Sequence, residues 1–388
     1  MRKRFLSSKV ETINNLVNDG SAKQASKNVL RPNNFDLIRL LAALQVVLFH
    51  SIHHLGIQAD YWFVDIFRYL PGVPIFFFMS GLMVSASYER NSDTKRYAVN
   101  RLFRIYPGLW VCFLVGVISV LIFGSGQFGR ASHTSLASWV FAQLTLFQFY
   151  NPSFLRDYGN GVLNGSLWTI PIELQFYVAL PLTYWITGTP GAKKGTIPWQ
   201  LWAAFLFFLG ICAVFFSFRF SNANDFWFKM IQCSMLPHFW LFLLGVLVQR
   251  KLVVLKKYFA GKLLVWLCVH VVVCVVASQL GSVAASNIPG IPVSLSLACV
   301  TLSAAFTLST MSDFLLRHND LSYGVYIYHV LVINALIELK IVGGWHAFWI
   351  TLILTLLLAT ASWKLVEFPM IQLKKRMSKP AKPTPKID

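Results

Sequence analysis

From Leu37 onward the chain is built of apolar runs that neither alternate with polar residues nor leave a polar stripe at helical spacing. Runs that are apolar on every side are those of helices buried in lipid or among other such helices, not of half-buried strands. They lie at 37–55, 70–88, 105–123, 168–187, 200–218, 236–249, 263–280, 292–311, 322–340 and 346–366. Most approach the roughly 20 residues that a helix needs to cross hydrocarbon. The pattern predicts an all-α polytopic membrane protein of about ten transmembrane helices, with no gap that would hold a soluble domain.

Charge decides an eleventh stretch, Leu136 to Tyr150. If it crossed, Arg250, Lys251, Lys256, Lys257 and Lys262 would lie outside together with Lys193 and Lys194, against the preference of basic residues for the cytoplasmic side. Without that crossing every basic loop falls inside, including the one with Arg90, Lys95, Arg96, Arg101 and Arg104. The stretch is therefore expected to be an external interfacial or re-entrant helix, a place that suits its Trp139, Gln143, Gln148 and Tyr150. Both termini are then cytoplasmic. The expected organisation is a flexible arm over 1–33, a membrane domain over 34–370 and a basic tail over 371–388.

Composition narrows the class further. Only 13% of the 388 residues are charged and 56% are hydrophobic, where soluble domains carry about 25% charged residues. The net charge of +19 gathers in the first 31 residues, in short loops and in the tail. That distribution orients a membrane protein, and no base-reading or stacking motif accompanies it, so nucleic acid is not an expected partner. The six cysteines are scattered without ligand spacing, which argues against structural disulfides and against a metal site. The first apolar run is too long for a signal-peptide core and lacks a small-residue cleavage site, so it is expected to stay as the first span.

Ionisable groups inside such runs are costly, and mark either function or local pairing. Arg39 and His50 are eleven residues apart in the first span, which returns them to within about 20° of one helix face, roughly 16 Å apart along it. The plainer reading is a snorkelling arginine and a histidine at the interface. "RLFRIYP" puts Arg101 and Arg104 on one face of a helix start, where guanidinium forks suit phosphate but also serve as an orientation anchor. "GSLWTIPIELQFY" opens the fourth span with Glu173 beside Trp168 and Tyr177; a carboxylate at the depth of His50 would fix its tautomer. "LSYGVYIYHVLV" contributes Tyr323, Tyr326 and His329, and "SWKLVEFPM" contributes Lys364 and Glu367. For these, aromatic lining and an i,i+3 ion pair are the plainer readings. Trp62, Phe149, Tyr150 and Tyr158 on external segments read first as an interface belt.

Taken in order, Asp36, Arg39 and His50, then Arg101 and Arg104, "LWTIPIELQFY", "SYGVYIYH" and "EFP" resemble the acyltransferase 3 family of bacterial integral membrane acyltransferases. The resemblance runs from about Asn34 to Pro369. It implies O-acyl transfer, usually of acetyl, from cytoplasmic acyl-CoA to a hydroxyl of an extracytoplasmic glycan, in a bacterial inner membrane. It maps the family's essential histidine onto His50 and its arginine pair onto Arg101 and Arg104. Many relatives carry a fused SGNH-type domain after the last span; with only a short basic tail after Glu367, a stand-alone member is expected here. Acetyl-CoA is then a donor substrate, and no permanently bound cofactor is expected. The expected roles are His50 as general base oriented by Glu173, Arg39, Arg101 and Arg104 toward the donor, and Trp168, Tyr323, Tyr326 and His329 toward the substrate. The competing class is a secondary transporter or flippase, whose spans also carry buried Arg, Glu and His, but the chain shows no convincing internal repeat.

Overall fold

The computed structural model describes residues 33–377, save 125, 190–194, 223–224, 281–288, 308 and 318. The expected N-terminal arm, most of the tail and the Lys193–Lys194 loop therefore lie outside the described residues. Each of the ten expected stretches is a helix. They are α1 Phe35–His54, α3 Gly72–Arg90, α4 Thr94–Phe123, α6 Thr169–Ile186, α7 Trp199–Asn222, α9 Phe239–Phe259, α10 Leu263–Gln279, α11 Ile291–Phe306, α13 Ser322–Glu338 and α14 Trp345–Ser362. Shorter helices fill the connections: α2 Trp62–Arg68, α5 His133–Leu144, α8 Phe226–Gln232, α12 Met311–Leu316 and α15 Phe368–Met377. No strand occurs among the described residues. By length and composition, four helices can cross a membrane alone, or up to five spans if the bent pair α9 and α10 counts as one. The chain is a multi-pass membrane protein.

Helix ends meet in two groups. In one, Asn34 at the start of α1 holds the end of α11, its amide donating to the Ala305 carbonyl and its Nδ2 to Thr307 O. In the other, Gly343 donates to Leu55 O just beyond α1, over a cluster of Leu55, Ile57, Val332, Ile333 and Leu336. The core between them is close helix packing. Gly81 on α3 and Gly245 on α9 each lie against the other helix's backbone, where a Cβ would collide; small residues let helices approach closely where lipid gives no hydrophobic drive.

Two local expectations change. The basic loop expected at Arg250 to Lys257 is helical, because α9 continues to Phe259 before a bend of 101° into α10. Arg250 is buried there and pairs with Glu89 at 2.8 Å, so it holds the fold from within instead of marking a loop. Tyr158 is fully buried and its hydroxyl bonds Ser119 Oγ at 2.7 Å, which removes it from any external belt.

The eleventh stretch positions the site. Helix α5 has 12 residues, about 18 Å, short of the roughly 30 Å of hydrocarbon. It runs back along α4, and its last carbonyls accept from Trp110 and Tyr106, at Leu144 O and Thr145 O, both 3.1 Å. The chain then returns to Gly159, whose amide donates to Glu338 at the end of α13. From there residues 159–168 descend between α4 and α13 without forming an α-helix. Their backbone groups are met by side chains: Asn334 accepts from Asn160 N at 3.0 Å and donates to Val162 O and Leu163 O at 2.8 and 2.9 Å. Lower down, the Tyr326 hydroxyl donates to Ser166 O at 3.0 Å, while the segment's own side chains tie it to α13, Asn164 donating to Ile327 O at 2.7 Å and Ser166 to Tyr326 O at 3.2 Å. Irregular backbone survives at membrane depth only when buried and satisfied in this way. Gly159 has φ +55, and a Cβ on it would strike Asn334.

Asn334→Leu removes three of these bonds and leaves Leu163 O buried and unpaired, which costs about 1–3 kcal/mol, with the half-buried Asn160 N and Val162 O unpaired as well. The expected outcome is a melting temperature in detergent well below wild type with loss of activity. An unchanged melting temperature would show that Asn334 does not hold this segment.

Candidate active site

A cavity of about 440 Å³ opens among the ends of α1, α3, α4, α6, α13 and α15. Arg39, Arg101, Arg104, Glu173, Tyr323 and Tyr326 all line it, so six of the expected site residues converge. Helix α15 runs through the expected boundary at 370, and its Ile371 and Lys374 also line the cavity.

The two arginines of α4 have different surroundings. Arg104 pairs with Asp320 and approaches Glu367 at 3.9 Å, its guanidinium over the Tyr323 ring. Arg39 shares the same Asp320 oxygen at 3.1 Å and also pairs with Asp36 at 3.2 Å. Ser322 donates to the other Asp320 oxygen at 2.6 Å. Burial pushes the Asp320 carboxyl up, but Arg104 and then Arg39, helped by Ser322, hold it at about 2. Arg101, by contrast, forms no salt bridge among the described residues. Its guanidinium lies over the rings of Tyr97 and Tyr177, at 5.7 and 5.4 Å, and its Nε has no hydrogen-bond partner. A stacked cation without an anion is prepared to receive one.

Glu173 does not meet His50. It accepts from Tyr177 and, at 3.5 Å, from Ser80. The expected pairing assumed that the fourth span began at the external surface. The irregular segment takes up the outer part of the path, so α6 starts deep in the protein, where Thr169 Oγ1 bonds Tyr326 Oη at 2.9 Å. Trp168 is outside the cavity lining and lies against His238, rings 5.8 Å apart.

His50 meets His329 instead, Nδ1 to Nε2 at 2.9 Å. His329 is fully buried and its Nδ1 bonds the Tyr326 carbonyl at 2.8 Å. His54 packs edge-on to His50 at 5.6 Å, and His53 is exposed. Tyr326 faces the cavity and, one turn on, His329 holds His50, so α13 links the cavity to the histidine pair. Phe76 packs edge-on to Tyr326 at 5.6 Å at the inner end.

Glu367 does not pair with Lys364 as expected. A π-helical turn over Trp363–Glu367 continues α14, with Glu367 buried while Lys364 is exposed. The wider turn carries Glu367 inward, where Ser362 donates to it at 3.1 Å; π turns recur at functional sites. Gly108 leaves room beside it, since a Cβ there would come within 2.8 Å of the Tyr323 ring.

Asp320 was missed in the sequence. It stands two residues before α13 in "HNDLSYG", and an acidic residue at the very start of an apolar run was the available signal.

The acyltransferase domain family matches residues 33–364. The chain is 32% identical to Nodulation protein 10 of Rhizobium leguminosarum bv. viciae over 359 residues, 88% of this chain and 94% of that protein. It is 26% identical to the O-acetyl transferase of Shigella phage Sf6 over 351 residues, 87% of this chain and 95% of that one. The peptidoglycan O-acetyltransferase OatA of Listeria monocytogenes matches over 154 residues at 27% identity, 38% of this chain and 23% of that protein. No solved structure matches. The protein is thus an integral membrane O-acyltransferase, and the chain belongs to the acyltransferase 3 family.

Asp320→Asn leaves two guanidinium groups without their shared anion. The expected cost is roughly 2–3 kcal/mol, below the 3–5 of a fully buried pair because Arg39 and Arg104 keep 21% and 25% exposure. A carboxyl held down in the folded state stabilises above its ordinary value and loses that contribution only as pH falls through about 2. The deficit of the variant, read as a melting-temperature difference, should therefore be constant from about pH 5 upward. A deficit that disappears between pH 5 and 8 would exclude Asp320 as its source.

Proposed function

We propose that this enzyme moves an acyl group, acetyl by preference, from acyl-CoA on the cytoplasmic side to a hydroxyl of an extracytoplasmic glycan, within a bacterial inner membrane. The membrane domain over 34–370 crosses ten times, with both termini cytoplasmic. The observation that carries the reading is the single turn of α13 on which Tyr326 lines the cavity and His329 bonds His50. A donor seated among the arginines has its reactive end directed to that turn, with the acceptor approaching His50 from the other side.

The chemistry follows from the groups present. The CoA phosphates meet Arg101, whose guanidinium lacks an internal anion, while Arg39 and Arg104, fixed by Asp320, keep the mouth positive. The pantetheine arm carries the thioester toward Phe76 and Tyr326. His50 takes the proton from the acceptor hydroxyl as its oxygen attacks the acyl carbon. The ester C–O bond forms, the C–S bond breaks, and the CoA thiolate leaves and takes up the proton from His50. The relatives named as O-acetyltransferases favour acetyl as the group and a cell-surface glycan as the acceptor class.

Detergent-purified protein given acetyl-CoA should release free CoA thiol, and His50→Ala should lower that rate about 10²- to 10⁴-fold, as loss of a general base does. Arg101→Lys should raise the acetyl-CoA KM about tenfold with kcat nearly kept, since an ammonium cannot replace a bidentate, stacked guanidinium. Turnover by His50→Ala at the wild-type rate would remove this mechanism.

Sidedness is testable separately. Cysteines at Thr134 and Ser153, both exposed, should both react with an impermeant thiol reagent added outside intact cells. Reaction at Thr134 alone would show that α5 crosses.

A further inference from the structure

The hydrogen bonds around His50 have a fixed direction. The Tyr326 carbonyl only accepts, so His329 Nδ1, 2.8 Å away, carries a hydrogen. Neutral His329 then has its lone pair on Nε2. His50 Nδ1, 2.9 Å from that atom, must donate to it. His50 is held as the Nδ1–H tautomer, and its Nε2 is left bare.

We propose that His329 is a positioning residue that sets the tautomer and aim of His50, so that Nε2 is the atom that accepts the acceptor's proton. The proposal rests on the reading of His50 as the base. The anchor is rigid. His329 is fully buried, so water does not compete for its ring nitrogens. Tyr326, whose carbonyl ends the chain of bonds, is itself tied by its hydroxyl to Thr169 Oγ1 at 2.9 Å and to Ser166 O at 3.0 Å.

The arrangement resembles a serine-hydrolase relay in which the orienting carboxylate is replaced by a neutral imidazole backed by a carbonyl. In that relay the wrong tautomer costs about 10⁴ in kcat. A neutral partner orients the base without adding a negative charge. When His50 accepts the proton at Nε2, its Nδ1–H still donates to His329, and the proton passes on to the departing thiolate. His329 itself gains and loses nothing.

The decisive measurement reads the tautomer in the unaltered protein. In nitrogen-15 spectra of histidine-labelled, detergent-purified protein near neutral pH, His50, assigned by its absence in His50→Ala, should show a protonated Nδ1 and a bare Nε2. A protonated Nε2 would overturn the proposal. Kinetically, His329→Leu should lower the kcat for CoA release from acetyl-CoA about 10²-fold with the KM within about threefold. His329→Gln, whose side-chain oxygen can accept from Nδ1, should recover most of the loss. Equal kcat in wild type and His329→Leu would also overturn it. Should His50→Ala retain wild-type turnover, the base reading falls while the spectrum still reports the tautomer, so the two failures are distinguishable.

Discussion

Backbone polar groups cannot be left unpaired away from water, and the segment 159–168 is where this chain meets that constraint without an α-helix. Asn334 and the Tyr326 hydroxyl supply partners to its backbone, and its own Asn164 and Ser166 side chains bind α13 carbonyls, so the segment can lie between α4 and α13. Its descent brings Thr169 to the hydroxyl of Tyr326, which in turn sets the depth of α6. Glu173 and Tyr177 consequently face the cavity and not the external surface. A conventional helix over the same residues would have carried the carboxylate out of the cavity.

Charge within the cavity is arranged by sharing. One carboxylate, Asp320, holds two guanidinium groups from helices far apart in sequence. Arg101 stands apart from that cluster between two tyrosine rings. The pair that looks uniform as R-x-x-R thus divides its work: one arginine is tied into the framework and the other keeps its guanidinium available. Spacing along α4 cannot distinguish them, since the difference lies in what α13 and the π turn after α14 bring alongside.

The helices were legible because all-round apolar runs of lipid-spanning length have few other structures open to them. Arg39, Arg101, Arg104, Tyr323 and Tyr326 were likewise legible as polar or aromatic residues at the membrane boundary, and they converge on one cavity. The partners were less so. Glu173 was matched to His50 on the assumption of a helix starting at the surface, and Glu367 to Lys364 on regular i,i+3 spacing. Each failed where the backbone departs from the α-helix, at residues 159–168 and at the π turn. Asp320 acts through contacts 281 and 216 positions away in the chain, a separation that no local motif displays.

Helix α13 is short for a membrane span. Its 17 residues measure about 26 Å, less than the roughly 30 Å of hydrocarbon in an ordinary bilayer. Within that length the two faces come closer still, for the cavity reaches Tyr326 and the histidine pair begins three residues further on. Only a few side chains therefore stand between the end of the cavity and the histidine pair, and one helix carries the boundary of both, so a shift of α13 would move the two together.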